Sequence, residues 1–163
     1  ALLSAGGQGP RVTAATIGKV VDAGIKDTNA MGPAMAPAAA DTIWQHLEDT
    51  GRQADYYDMI YTGDLGSVGK NLMQQLLQEK GVDIASNYED CGCMIYNENQ
   101  DAHAGASGCA SSALVFCSYC YPMLRSKQLG KILLIGTGSL HSTTSYQQKE
   151  SIPCIAHAVA IEA

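Results

Sequence analysis

The run KILLIGTG at 131–138 is apolar without interruption until it ends in glycine. A strand with no polar alternation has no face for water and must be covered on both sides. Helices packed on both faces of a sheet provide that cover, so an α/β architecture is expected. The remaining segments fit it. RVTAATIGKVVDAGIK at 11–26 is β-branched, with Gly18 and Gly24 marking a bend, and reads as a strand followed by a connection. After Pro37, Ala38, Ile43, Trp44 and Leu47 recur at helical spacing and stop at Gly51. YYDMIYTG at 56–63 reads as a strand, and Leu65, Val68, Leu72, Leu76 and Leu77 as the helix after it, stopping at Gly81. Residues 82–106 are irregular, with a short extended piece around Cys93, Met94, Ile95 and Tyr96 and an acidic loop beyond. The spacing then predicts a long helix to about Gln128, with Ala110, Ala113, Leu114, Cys117, Tyr121 and Leu124 on one face and a kink at Pro122. IPCIAHAVAIEA closes the chain as a strand. No helix separates it from 131–138, so the two should be antiparallel.

With 163 residues the chain has the length of one domain or of one half of a two-half protein. Hydrophobic residues make up 46% and charged residues 16%, too apolar for disorder. The net charge is −6 and the Lys and Arg residues form no run, which excludes the basic stripe of a nucleic-acid binder. The longest apolar runs fall short of the ~18 residues of a spanning helix. Ala1 is followed by no charged region or cleavage site, so no secretory signal is expected. Six cysteines, at 91, 93, 109, 117, 120 and 154, read as reduced thiols of a cytosol-like space rather than a disulfide framework.

The densest chemical signal is QDAHAGASGCASSALV at 100–115. His103 precedes small residues that open a helix, whose first N–H groups suit an anion or an oxyanion. Gly105, Ser107 and Gly108 permit close approach; equally, Ser107 could serve only as a helix cap. Two more glycine-rich strand ends, TGDLGSVG at 62–69 and IGTGSLHS at 135–142, add Gly63, Asp64, Thr137 and Gly138. Ligands of open α/β sheets gather at strand carboxyl ends, so one cleft shared by these loops is expected. The blander reading is that Asp64 caps the next helix and the glycines make turns. The phosphate-cradling patterns are missing, which disfavours nucleotides, and no cofactor is expected. Cys117-x-x-Cys120 lies inside a helix rather than at its N-terminus, and Cys91-x-Cys93 has atypical zinc spacing, so neither a redox pair nor a metal site is expected. Cys109, Cys117 and Cys120 read as small packers, and His46 and His157 as structural.

These motifs carry a family resemblance. MGPAMAPAAADTI, HAGASGCASSALV and GKILLIGTGSL resemble, in order and interval, the Met-Gly-x-Gly-Pro segment, the Gly-His-Pro-x-Gly-x-Ser-Gly helix start and the Cys-x-Gly-Gly-Gly strand of thiolases. The runs GGQGPRVTAATIGKVVDAGIKD, MAPAAADTI, YTGDLG, EDCGCMIY and ESIPCIAHAVAIE resemble more closely the stage V sporulation protein AD family, which is thiolase-like. The resemblance implies a thiolase-like half across 1–163, the C-terminal one of two. Its fold would be a five-stranded mixed sheet with helices on both faces, ordered βαβαβαββ. His103 takes the place of the thiolase catalytic histidine, but Ala104 replaces the proline after it. Gly136 or Thr137 stands where the second cysteine belongs, and Thr62, Gly63 and Asp64 stand where condensing relatives have a His and an Asn.

Condensation needs a nucleophile, an oxyanion hole and a base. The departures therefore favour a non-catalytic binding protein. The resemblance implies a ligand, dipicolinic acid (pyridine-2,6-dicarboxylate), free or as its calcium chelate, taken up into the developing spore. It implies other stage V sporulation A-group proteins as partners and a homodimer as the assembly. The expected location is the cytoplasmic side of the forespore, peripheral at the spore inner membrane. The alternative is an acyl-transferring thiolase or ketoacyl-synthase-like enzyme whose nucleophile lies in the N-terminal half. A subunit that binds nothing small is the third reading.

Overall fold

In the computed structural model, which describes residues 3–163, five strands form one mixed sheet in the order β1-β5-β4-β2-β3. The strands are β1 (Arg11–Ile17), β2 (Met59–Thr62), β3 (Tyr88–Asp90), β4 (Lys131–Ser139) and β5 (Cys154–Glu162). Strands β3, β2 and β4 run parallel, while β5 is antiparallel to both β4 and β1. Both faces are covered, as the unbroken apolar run of β4 requires. Ile60, Leu133 and Ile135 face α1 (Met31–Thr50) and α2 (Gly66–Glu79). Their neighbours Tyr61 and Ile132 face the other way, onto α3 (Cys91–Ile95), α4 (Ser111–Val115) and α5 (Tyr121–Arg125). A period of two along each strand thus feeds two separate cores.

Four expectations need correction. Helix α1 starts at Met31, well before Pro37. Pro33 lies in its first turn, where a missing N–H costs nothing, and Pro37 is carried within a helix buried by Ala34, Ala36, Ala38, Ala39 and Ala40. The helix does stop at Gly51, which is left-handed and whose N–H reaches the Glu48 carbonyl. In α2 the buried positions are Gly66, Gly69, Met73 and Leu77, while Val68 is exposed. The extended piece lies at 88–90, not at 93–96, and Cys93–Ile95 are helical.

The fourth concerns 111–125, where a π-helical turn (Phe116–Cys120) joins α4 to α5. The buried positions become Ser111, Val115, Cys120 and Leu124. A step of five between Val115 and Cys120 replaces the usual three or four. The predicted face of Ala113, Leu114, Cys117 and Tyr121 is exposed as a result. The Tyr121 N–H reaches back to the Phe116 carbonyl, a widened turn placed just before Pro122, which has no N–H to give. Cys109 and Cys117 are exposed rather than packed; Cys91, Cys120 and Cys154 are buried.

Helices α1 and α2 meet at two glycines. A Cβ on Gly69 would stand 2.6 Å from the Gly32 carbonyl carbon, and one on Gly32 would collide with the Leu65 carbonyl oxygen. This crossing seats the N-terminus of α2 against the start of α1 and so sets where β2 delivers its loop. Gly69→Ala should destabilise the fold by about 1–3 kcal/mol in chemical denaturation. Gly136→Ala, with open space at its Cβ, should change stability little.

Candidate functional site

The carboxyl ends of β2 and β3 and the loop at 102–110 converge on two buried carboxylates. Asp90, with no exposure, ends β3 beside Thr62 of β2. It accepts from Thr62 Oγ1 at 2.7 Å, from the N–H groups of Leu65 and Gly66 at 2.9 Å and from that of Cys93 at 3.3 Å. Thr62 spends its proton on Asp90, so the 2.7 Å contact with Tyr88 is one in which the tyrosine donates. One carboxylate therefore caps the start of α2 and the start of α3. The Cys93 bond is the N-cap bond of α3.

Asp64 does not cap α2. It is 7% exposed, and its two oxygens are both engaged: Oδ1 accepts from Thr137 Oγ1 at 2.8 Å and Oδ2 from the Gly108 N–H at 2.9 Å. Burial raises its pKa above the ordinary carboxylate value; the Thr137 and Gly108 bonds oppose the shift and the nearby Asp90 adds to it.

The loop has two further anchors. The Ser67 N–H donates to the Ala104 carbonyl at 2.8 Å, and the Ala106 N–H donates to the Gly92 carbonyl at 2.9 Å. Both approaches depend on glycine. A Cβ on Gly66 would stand 2.8 Å from the Ala104 oxygen, and one on Gly105, at φ 113°, 2.8 Å from the Gly92 oxygen.

Of the residues singled out by sequence, the structure joins Gly63, Asp64 and Thr137 directly. Gly63 lies against Thr137, where a Cβ would stand 2.6 Å from its Oγ1. Gly105 sits on Gly92 rather than on Asp64. Gly138 is one residue beyond Thr137 on β4, with Ile155 nearest the position of its absent Cβ. Ser107 is exposed with its hydroxyl 3.8 Å from the Met31 sulfur, and it is not the helix cap: α4 begins at Ser111, with Ala110 before it. His103 is exposed, at φ 50°, on the outside of the loop. Sequence reasoning missed Asp90 and Gly92. Their signal was an acidic residue followed by Cys-Gly after a short extended piece, obscured because that piece was placed five residues too late.

The buried thiols, and the partly buried one of Cys93, are poor nucleophiles. Burial raises the Cys93, Cys120 and Cys154 thiols to about 11 and pushes Cys91 up as well. The cluster around the buried His46 is structural. His46 contacts Tyr57 Oη at 2.6 Å and Thr16 Oγ1 at 2.8 Å, locking α1 to β1. His157 Nδ1 accepts from the Gly18 N–H where β1 leaves the sheet.

Mixed sheet, strand-end loops and helices on both faces give an α/β fold of the thiolase-like kind. It matches AbyA1, a tetronic acid condensing enzyme, with a TM-score of 0.57 and 13% identity over 99% of this chain and 50% of that one. OleA of Xanthomonas campestris matches with a TM-score of 0.51 and 9% identity over 95% of this chain and 58% of that one. At those identities the likeness is one of fold. The chain belongs to the stage V sporulation protein AD family, whose model matches residues 1–162. Stage V sporulation protein AD of Bacillus subtilis (strain 168) is 49% identical over 152 residues, 93% of this chain and 45% of the relative. The chain thus spans about half the length of the curated relative it matches.

Asp64→Asn should keep both hydrogen bonds, since Oδ1 can accept from Gly108 while Nδ2 donates to Thr137, and it removes a desolvated charge. Its stability at neutral pH should equal or exceed that of the wild type, whereas Asp64→Ala should lose about 1–3 kcal/mol. A raised folded-state pKa gives a contribution complete below the ordinary carboxylate range and lost as pH rises through the raised value. Denaturation of wild type and Asp64→Asn across pH should therefore show the wild type gaining relative to the variant as pH falls.

Proposed function

We propose that this chain is the C-terminal half of a non-catalytic sporulation protein that binds dipicolinic acid, as the dianion or the neutral calcium chelate, for uptake into the developing spore. The observation that carries this reading is the use made of Asp64. At the strand end where condensing relatives have a His and an Asn, this chain has a carboxylate whose two oxygens each accept a hydrogen bond from the protein itself, from Thr137 Oγ1 and from the Gly108 N–H. The loop fixed in this way offers small residues, an exposed histidine and an exposed hydroxyl at Ser107, groups that can hydrogen-bond an anionic ligand.

In a chain of net charge −6 the attraction for such an anion has to be local. N–H groups ahead of a helix contribute about 0.3–2 kcal/mol per charge, and hydrogen bonds to a charged partner about 1.5–3 kcal/mol each. A few of these reach micromolar affinity, about −8 kcal/mol, in a closed cleft. Closure would come from the N-terminal half. The exposed apolar stripe of Ala113, Leu114, Cys117 and Tyr121, with Leu114 54% exposed, supports an arrangement in which more protein covers this helix.

Among the described residues no helix is long and apolar enough to cross a membrane. The proposed setting is peripheral, at the cytoplasmic face of the forespore membrane, with other stage V sporulation A-group proteins and a second copy as partners. The alternative of an acyl-transferring enzyme, its nucleophile in the N-terminal half, is favoured by the fold it shares with AbyA1, a tetronic acid condensing enzyme.

Calorimetry with pyridine-2,6-dicarboxylate on the full-length protein should give micromolar binding, weakened at least about tenfold, a loss of ~1.4 kcal/mol, by Ser107→Asp. Equal affinity in the folded variant would remove this loop from the site. Incubation with acetyl-CoA and acetoacetyl-CoA should give no condensation or cleavage. Turnover that disappears in His103→Ala would establish the enzyme instead.

A further inference from the structure

The strand-end arrangement poses a physical problem for any anionic ligand: a buried carboxylate, Asp64, lies one hydrogen bond from the loop that would receive it. Like charges that close together in a poorly solvated site cannot both remain ionised cheaply. Among the described residues, no cation compensates Asp64. Asp90 at the end of β3 and the Cys91 thiol at the start of α3 are its titratable neighbours. Strand β4 brings the Thr137 hydroxyl, and the loop brings the Gly108 N–H and, five residues earlier, the exposed His103.

What the site does provide is a partner that can reverse. Thr137 donates to Asp64 Oδ1 now, but a hydroxyl accepts as readily as it donates. Gly63 leaves that hydroxyl uncovered, since a Cβ there would stand 2.6 Å from Thr137 Oγ1. Oδ2 can keep the Gly108 N–H in either state, and the Ala104 and Ala106 anchors involve no titratable group. The loop would therefore stay in place while the charge beneath it is removed.

Resting on the ligand-binding reading above, we propose that anion binding at this loop is proton-coupled through Asp64. When a dicarboxylate settles against 103–108, Asp64 Oδ1 takes one proton from solvent, and Thr137 turns from donor to acceptor. The Thr137 hydrogen is then free to donate to the ligand carboxylate. One O–H bond forms, solvent supplies its proton, and the bound complex carries one negative charge fewer. Burial already raises Asp64 in the free protein, and the ligand's charge raises it further, so uptake occurs in the pH window between the two values. Binding tightens as pH falls through that window.

The test is calorimetry of the full-length protein with pyridine-2,6-dicarboxylate, in buffers of different ionisation enthalpy and over a range of pH. The wild type should take up as much as one proton per ligand, and its affinity should rise by up to about tenfold per pH unit across the window. Asp64→Asn should bind without that uptake and show only the pH dependence of the ligand's own titration. Asp64→Ser, which likewise removes the titrating carboxylate, should also lose the uptake and serves if Asp64→Asn fails to fold. Equal proton uptake in the wild type and a folded variant overturns the coupling and leaves the ligand assignment standing. Absence of binding by the wild type at every pH overturns both.

Discussion

The Asp90 carboxylate has no contact with water, and the geometry of the candidate site depends on it. A charge so placed is tolerable only if every lone pair finds a strong donor. Four donors arrive from three directions: the Thr62 hydroxyl on the neighbouring strand, the Leu65 and Gly66 N–H groups at the start of α2 and the Cys93 N–H in α3. Two of those directions are helix N-termini, whose free N–H groups and dipoles favour a negative charge. The same bonds fix where β2 turns into α2, and hence where Asp64, two residues after Thr62, can point.

A chain of close approaches follows from that fixed turn. Gly66 admits the Ala104 carbonyl, Gly92 and Gly105 let the loop lie against α3, and Gly63 leaves room for Thr137. Asp64 then ties Gly108 to β4. The loop is held by backbone and by one side chain, so its shape is set before any ligand arrives. Preorganisation of this kind lowers the ordering cost of binding.

Much of the architecture was legible. KILLIGTG had to be covered on both faces, and the last strand had to be antiparallel to it; both features are present in the sheet, although the connection read as free of helix holds a short one, Thr143–Gln147, too short to serve as a crossover. The errors share a cause, which is that local spacing was broken by features only tertiary packing explains. Two prolines hid the first turns of α1. A three-residue strand containing Glu89 and Asp90 carried too little pattern to place β3. A π turn shifted the buried face of 111–125, so the apolar positions expected inside point outward. At the site, Asp64 and Thr137 were legible as candidates because they end strands, but not as partners, since they meet across the sheet 73 residues apart. Asp90 was invisible for the opposite reason: an acid next to cysteine looks like surface until two helix starts are seen to need it.

The central claim is that this half presents an anion-binding surface built from the strand-end loops. The most direct measurement is a crystal structure of the full-length protein with pyridine-2,6-dicarboxylate. The account predicts a ligand carboxylate against 103–108, within hydrogen-bond reach of the loop's N–H groups and close to Thr137, with the Asp64 contact to Gly108 preserved. A dicarboxylate seated on another face, with these loops unchanged and empty, would contradict it.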